Sequence, residues 1–227
     1  GNNITHFHYD AQNRLTEVRD GSNKLVARYG YDPMDRRIWR EQFSTKDGTP
    51  MSPAKRTVYL YSDEGLAAES TQDILLAADE TVTSSGSLVI STQYGQQPES
   101  QFTSGVMFVK TKASNGQDIF AYYHHDQLGT PIQATDKRGN VVWAASYNVF
   151  GQATITTPIA TLDAPTINSS LRAPGQVEDP ETGFHYNFRR YYDPSTGRYI
   201  TQDPIGVEGG NNKYKYEEAN PVNVSDP

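Results

Sequence analysis

Two aspartates near the end of this 227-residue sequence have the type and setting to do chemistry. Asp203 and Asp226 each precede a proline. Two aspartates brought close together share one proton, because both cannot ionise at short range. Such a pair can activate water and also protonate the leaving nitrogen of a peptide. The alternative is that Asp-Pro is only a turn dipeptide, as at 32–33, 179–180 and 193–194. Residue chemistry alone favours that alternative.

Other patterns that could carry chemistry are weaker. The cluster at 124–126, His-His-Asp, contains suitable metal ligands, but neighbours on a strand point to opposite faces, so these histidines are not expected to share an ion. The glycines at 206–210 lack the lysine and the strand-to-helix context of a phosphate loop. The sequence has no cysteine, which excludes a thiol nucleophile and a disulfide framework. No cofactor and no metal is predicted.

The elements that must position the two aspartates are aromatic strands between turns. Turn signals stand at 179–183 and 193–197, each with a proline and a glycine. Between them, Phe184, Tyr186 and Phe188 alternate with polar residues, which is the period of a half-buried strand. An aromatic β-hairpin is predicted. The aspartate at 179 belongs to a turn outside the proposed site, so its replacement by asparagine is expected to leave catalysis untouched.

The start of the chain repeats itself. Tyr9-Asp10 returns as Tyr31-Asp32, twenty-two residues later. Aspartate and asparagine at these points suit tight turns, and a fixed period with strand-like alternation indicates a repeat architecture. An ordinary hairpin pair is the alternative. The residues expected on the buried face of the strands are Leu15, Val18, Ile38 and Trp39.

The middle of the chain contains loop signals and a strong hairpin signal. Small, polar and proline residues predict a long loop over 44–56. Asn115-Gly116 predicts a tight turn between strands at 106–112 and 117–125. The predicted organisation is a β-sheet segment at 1–150, a variable connection at 151–170 and a C-terminal domain at 171–227.

Composition limits the fold class and the partners. Fifteen tyrosines against eight phenylalanines suit thin sheets with one wet face, and the predicted fold class is all-β with antiparallel hairpin repeats. The net charge of −7 and the absence of a basic run disfavour nucleic acid or an anionic membrane as the main partner. No apolar run is long enough to span a bilayer, and the start has no signal-peptide character. The chain is expected to be a piece of a longer protein.

The end of the chain resembles the RHS repeat-associated core domain, the C-terminal end of RHS/YD-repeat proteins. The matching elements are Arg189-Arg-Tyr-Tyr-Asp-Pro194, Gly197-Arg-Tyr-Ile200, Asp203-Pro-Ile-Gly206, the Asn-x-Tyr-x-Tyr run at 212–216, Asn220-Pro221 and Asp226-Pro227. The stretch 123–151 is similar to the RHS repeat just upstream of that domain, and the Tyr-Asp spacing near the start resembles YD repeats. The resemblance implies a hollow shell of β-hairpins closed by a core domain, enclosing a toxic C-terminal segment.

The resemblance also implies an aspartyl autoprotease that cuts the shell from its cargo. Asp203 and Asp226 match the autoprotease pair, and Arg190 and Asp193 match the residues that support it. Arg190 could hold one carboxylate ionised through a bidentate contact while the other stays protonated. Cleavage is expected after a Gly-Leu that would follow Pro227, so the scissile bond is expected beyond the sequence.

One departure limits this comparison: Val207 stands where the family usually has leucine. The implied partners are the protein's own C-terminal toxin segment as cargo, the remaining part of the RHS shell and, indirectly, an immunity protein and a secretion system such as type VI. The implied location is that of a secreted bacterial effector, made in the cytoplasm. The alternatives are a cell-surface YD-repeat protein for adhesion or carbohydrate binding, and a stand-alone aspartic peptidase.

Overall fold

The computed structural model describes residues 4–100, 102–161, 165–202 and 214. Across these residues the protein is built of antiparallel strands, turns and loops without a helix, so none is present that could span a membrane. The predicted all-β class with antiparallel hairpins is confirmed. The chain forms two compact units. Unit 1 comprises Gly1–Leu60, Ala68–Ser91 and Asp179–Gly183, and unit 2 comprises Tyr61–Ala67, Thr92–Glu178 and Phe184–Pro227.

The strands follow one another along the chain with short connections. They are β1 (Ile4–Tyr9), β2 (Leu15–Asp20), β3 (Leu25–Tyr31), β4 (Arg37–Ser44), β5 (Pro50–Ser62), β6 (Gly65–Leu76), β7 (Val82–Ser84), β8 (Val89–Gln96), β9 (Val106–Lys112), β10 (Asp118–His125), β11 (Pro131–Thr135), β12 (Val141–Tyr147), β13 (Ala153–Ile155), β14 (Val177–Glu178), β15 (His185–Asn187), β16 (Arg190–Asp193) and β17 (Arg198–Tyr199). In unit 1, β1 to β5 pair in sequence order and β6 pairs with β7. In unit 2, β8 to β13 pair in sequence order, and β14 to β17 form a second sheet.

One type of turn recurs between these strands. After β1, the Asp10 carboxylate accepts hydrogen bonds from the backbone N–H groups of Gln12 and Arg14, at 3.0 and 2.9 Å. Asn13 takes a φ of 62°, a left-handed conformation that asparagine tolerates better than most residues. The same pair of side-chain bonds is made by Asp20, Asp32, Asp126, Asp136 and Asn148. These residues therefore encode the hairpin turns.

In each repeat, a tyrosine directly before one of these turns donates a hydrogen bond to the backbone of the preceding hairpin. Tyr31 donates its hydroxyl to the backbone oxygen of Leu15 at 2.6 Å, and Tyr147 donates to that of Pro131 at 2.7 Å. The two bonds correspond at a constant offset of 116 residues. The turns correspond at the same offset, at Asp10 and Asp126, Asp20 and Asp136, and Asp32 and Asn148. The chain thus contains two copies of one structural repeat, one in each unit.

Glycines within two strands lie under aromatic rings of the neighbouring strand. Gly30 pairs with Trp39, and Gly95 pairs with Phe108. A Cβ atom on Gly30 would lie 2.1 Å from the indole, and one on Gly95 would lie 2.2 Å from the phenyl ring. Each ring covers the strand position that lacks a side chain, which is how edge or strand glycines are commonly compensated.

Each unit has its own apolar core. In unit 2, one face of β9 to β12 packs on residues that follow the sheet, among them Ile167, Leu171 and Val177. The stretch predicted as a variable connection therefore contributes a buried side chain. In unit 1, a smaller cluster contains Leu25, Phe43, Ala54 and Ile74.

Two local expectations are corrected and one is confirmed. The predicted loop at 44–56 is wrong from Pro50 onwards, because a compact turn at 45–49 returns the chain directly into β5. Pro50 is tolerated at this point because it is the first residue of β5 and lies beside a register shift in the pairing with β4. The Asn-Gly hairpin between β9 and β10 is confirmed. On the first repeat, Leu15 and Val18 are buried as expected, but Ile38 and Trp39 are half-buried while Arg37 is buried.

Candidate functional site

Two of the four predicted catalytic residues can be placed. Arg190 and Asp193 begin and end β16 in unit 2. Asp203 and Asp226 lie outside the described residues. The catalytic assignment of all four stays a prediction. Among the described residues, no group of three or more His, Asp or Glu side chains could hold a metal ion.

The Arg190 side chain is held by a buried tyrosine. Its guanidinium carbon lies 3.5 Å from the ring centroid of Tyr199, a cation–π contact. Asn187 donates from Nδ2 to the Tyr199 hydroxyl at 2.7 Å, and the Tyr192 ring lies edge-on to Tyr199 with centroids 5.8 Å apart. Stacking keeps the N–H donors of Arg190 in the guanidinium plane, where a carboxylate can accept two of them. Tyr199 is the last residue of β17 and lies four positions before Asp203 in the sequence.

The contacts of Asp193 are those of a turn residue. Its Oδ1 accepts from the backbone N–H and the hydroxyl of Ser195, at 2.9 and 2.6 Å. Its Oδ2 accepts from the Thr196 hydroxyl at 3.0 Å, and Gly197, at a φ of 69°, donates its N–H to the Asp193 carbonyl at 2.9 Å. The structure therefore gives Arg190 and Asp193 different partners. It accounts for Asp193 as the residue that shapes the β16–β17 turn.

The aromatic hairpin of unit 2 differs from the half-buried strand that was predicted. All three residues of β15, His185 to Asn187, are buried, so neither face of this strand is exposed to solvent. Phe188 lies outside the strand, at the turn into β16, with a φ of 53° that is unusual for a bulky residue. Tyr186 and Phe188 both contact the Phe102 ring, with centroids 5.5 and 6.3 Å away. The expectation failed because alternation shows which side chains share a face, and not whether both faces are covered.

A second site, which sequence reasoning missed, is a buried ion-pair cluster in unit 1. We define it by the residues Tyr29, Arg37, Arg40, Tyr59, Asp179 and Glu181. Arg37 Nη1 lies 2.5 Å from Asp179 Oδ2, and Arg40 Nη1 lies 2.8 Å from Asp179 Oδ1. Arg37 is 1% exposed, and neither Asp179 nor Glu181 has any exposure. Asp179 is therefore more than the turn residue that its Asp-Pro setting suggested.

The cluster perturbs its own titrating groups. Burial raises the pKa of Glu181 to about 6, and the charge of Asp179 adds to this effect while Arg40 opposes it. Burial also raises the pKa of Tyr59 to about 12 and that of Tyr29 well above its usual value. One signal could have pointed to the cluster: the positions 116 residues after Arg37 and Arg40 carry Ala153 and Thr156. The arginines are thus specific to the first copy of the repeat.

Comparison with known proteins assigns the two repeat copies. The family described as RHS Repeat matches residues 9–38, and the family described as RHS protein matches residues 120–156. Double-stranded DNA deaminase toxin A of Burkholderia cenocepacia (strain H111) is 34% identical over 233 residues, which cover 100% of this chain and 15% of that protein. The tRNA3(Ser)-specific nuclease WapA of Bacillus spizizenii is 30% identical over 226 residues, which cover 97% of this chain and 8% of that protein.

A solved structure shows the same fold. The Photorhabdus luminescens Tc holotoxin pore superposes with a TM-score of 0.64 at 18% identity, covering 98% of this chain and 10% of that one. The chain spans no more than about a sixth of the length of any of these three proteins. RHS family models match both repeat copies, and the two curated relatives align along nearly all of this chain. The chain therefore belongs to the RHS/YD-repeat proteins.

Proposed function

We propose that this chain is part of the wall of a shell that encloses a toxin segment of its own protein and releases it by aspartyl autoproteolysis. One observation carries the proposal. Nearly the whole chain aligns with a DNA deaminase toxin and with a tRNA nuclease, yet it covers only 15% and 8% of them. A segment shared by proteins of such different activities does not account for either chemistry. The shared segment therefore belongs to the part that both proteins have in common, which in this proposal is the shell that carries the toxin.

In this proposal the cargo is a C-terminal toxin segment, and the remaining wall comes from further RHS repeats. An immunity protein and a secretion system are indirect partners of this segment. The net charge of −7 fits a wall that lies against a basic cargo, since opposite charges favour retention.

Release is assigned to Asp203 and Asp226. One carboxylate, ionised, activates the water, and the other, protonated, gives its proton to the leaving nitrogen. Arg190 favours the ionised form of the first through a charge-assisted contact. Its stacking on Tyr199 supports this role, because a guanidinium that is already oriented loses less entropy when it binds a carboxylate.

The test uses the full-length protein that carries this chain, expressed with Asp203→Asn or Asp226→Asn. Asparagine keeps the shape but neither acts as a base nor shuttles a proton, so both variants should remain intact on a gel while the unmodified protein is cut. Asp32→Asn is the matched control, because Asp32 also precedes a proline. Its Oδ1 accepts from the backbone N–H groups of Met34 and Arg36, a role that an amide oxygen retains, and the change removes only the local ion pair of Oδ2 with Arg36. Complete cleavage of both Asn variants would remove the catalytic assignment.

A second arm tests Arg190. Lysine keeps the charge but loses the planar fork, so Arg190→Lys should slow cleavage by about 10- to 150-fold, the range expected for one charged hydrogen bond of about 1.5–3 kcal/mol. The neighbouring Arg189→Lys, which changes a guanidinium lying 5.8 Å from the Phe188 ring, should cleave at the normal rate. Equal rates for the two variants would contradict the role of Arg190.

A second candidate function, carbohydrate binding in adhesion, is favoured by a cleft in unit 2. The cleft holds about 440 Å³ and is lined by the exposed rings of Phe120 and Tyr122 beside Asp118 and Arg138. Aromatic faces with a few polar groups are a common lining of ligand sites. If this function operates, the full-length protein should bind glycans and Phe120→Ala should abolish that binding without changing cleavage. Equal glycan binding by the Phe120→Ala variant would exclude the cleft.

A further inference from the structure

The turn Asp179–Gly183 is part of unit 1, although its ion-pair partners precede it by about 140 residues. Its two carboxylates lie against three strands. Tyr29 of β3 donates to Glu181, and Arg37 and Arg40 of β4 pair with Asp179. Tyr59 of β5 accepts a hydrogen bond from Arg37 Nη2. Two further charges lie at the margin: Glu69 of β6 acts on Tyr59, and Lys46 approaches Gly183, where a Cβ atom would lie 2.9 Å from its Nζ.

The two carboxylates of this turn are held differently. Asp179 makes short contacts with both guanidinium groups, at 2.5 and 2.8 Å. Glu181 lies 3.7 Å from Arg40 and accepts the Tyr29 hydroxyl hydrogen bond at 3.1 Å. Since attraction between charges falls with distance, Asp179 gains more from the arginines. Asp179 is therefore the more closely paired carboxylate, and Glu181 is the buried carboxylate with the weaker cationic contact and a raised pKa.

We propose that Glu181 is the proton-binding member of a latch, in which the turn Asp179–Gly183 is held on β3 to β5 more tightly in mild acid than at neutral pH. The turn would act as a conformational switch within unit 1. In the tightened state the Glu181 carboxyl group is neutral, and its ionisation adds a buried negative charge beside Asp179.

The direction follows from the burial of Glu181. Its pKa is raised from 4.5 to about 6 in the folded protein, so the folded state binds the proton more strongly than the unfolded chain does. The resulting stabilisation is fully present below pH 4.5 and is lost as the pH rises through about 6. The arginines stay charged throughout this range. The two tyrosines stay neutral, because burial raises the pKa of both. In an acidic compartment the turn would thus stay bound to β3 to β5, and at neutral pH it would open more readily.

The experiment measures amide hydrogen exchange in the whole chain. Thr182 and Gly183 donate their N–H groups to the Asp179 carbonyl at 3.2 and 2.8 Å, so their protection reports opening of the latch. After correction for intrinsic rates, protection should increase by up to about fifteenfold from pH 7.5 to pH 4.5, since Glu181 of the unfolded chain is then half protonated and a pKa difference of about 1.5 has reached half of its full effect. Glu181→Gln should remove this dependence. The Gly48 amide, which closes another turn of unit 1, should not change in the variant.

A second measurement keeps the test decisive if Glu181→Gln does not fold. The carboxyl carbon of Glu181 in the unmodified chain can be followed by NMR against pH, and its midpoint should lie near 6. A midpoint at or below 4.5, or the same pH dependence of exchange in the unmodified chain and in Glu181→Gln, would overturn the proposal.

Discussion

Replacing Asp179 by asparagine should destabilise unit 1 strongly. Asp179 supplies the short carboxylate contacts of both Arg37 and Arg40, and it has no exposure to water that could solvate the arginines in its place. Removing one partner of a buried ion pair costs about 3–5 kcal/mol, because a charge is left without compensation. Asparagine has nearly the same volume as aspartate, so a cavity would not explain a loss of this size.

The loss can be measured for unit 1 alone. The chain has two tryptophans, Trp39 in unit 1 and Trp143 in unit 2, so a Trp143→Phe background makes the fluorescence specific for unit 1. With a urea dependence of about 1–3 kcal/mol/M, the midpoint of Asp179→Asn should fall by at least about 1 M. Asp73→Asn is the matched control, since Asp73 and Lys55 form an ion pair in the same unit with side chains 41% and 48% exposed.

The control should lose at most about 1 kcal/mol, the usual upper value for an exposed pair. If Asp179→Asn and Asp73→Asn shifted the midpoint equally, burial would not decide the strength of the pair, and the account of the cluster would be refuted.

Two further predictions concern the repeat. Tyr147→Phe removes the hydroxyl bond to the Pro131 carbonyl and should lower the free energy of unfolding by about 0.5–1.5 kcal/mol, measured by urea denaturation of unit 2; an unchanged midpoint would contradict it. Gly30→Ala should cost about 1–3 kcal/mol, because its Cβ would meet the Trp39 ring at 2.1 Å, whereas the control Gly86→Ala, with its nearest atom at 3.7 Å, should show no such contact penalty.

The features that sequence predicted correctly are local ones. The aspartates at 10 and 32 bond to backbone groups two and four residues away, so their effect is contained in a short window of sequence. The Asn-Gly turn between β9 and β10 is local in the same sense. The spacing of such turns then determines the hairpins and the all-β class.

The features that sequence did not predict depend on partners far along the chain. Arginine is ordinarily a surface residue, and the burial of Arg37 depends on an ion pair with Asp179, which lies 142 residues away. Comparison of the two repeat copies marks Arg37 as specific to the first copy, but it does not identify Asp179 as the partner, and the Asp-Pro setting of Asp179 indicated only a turn. Likewise, both faces of β15 are covered by elements whose position the alternation of side chains does not specify. The pairing of Asp203 with Asp226 is a prediction of this same long-range kind.

The tyrosine bonds of the two repeats have a consequence for how such a chain can change. Tyr31 and Tyr147 each hold a backbone carbonyl, and every residue type offers the same carbonyl. Substitution of Leu15 or Pro131 by another residue would therefore leave the acceptor in place. Mutation can change the side chains on the faces of the strands, giving arginines in one copy and alanine or threonine in the other, while the hairpin keeps its register. The side chains can therefore vary from copy to copy, while the backbone carbonyls that hold the hairpin in register stay the same.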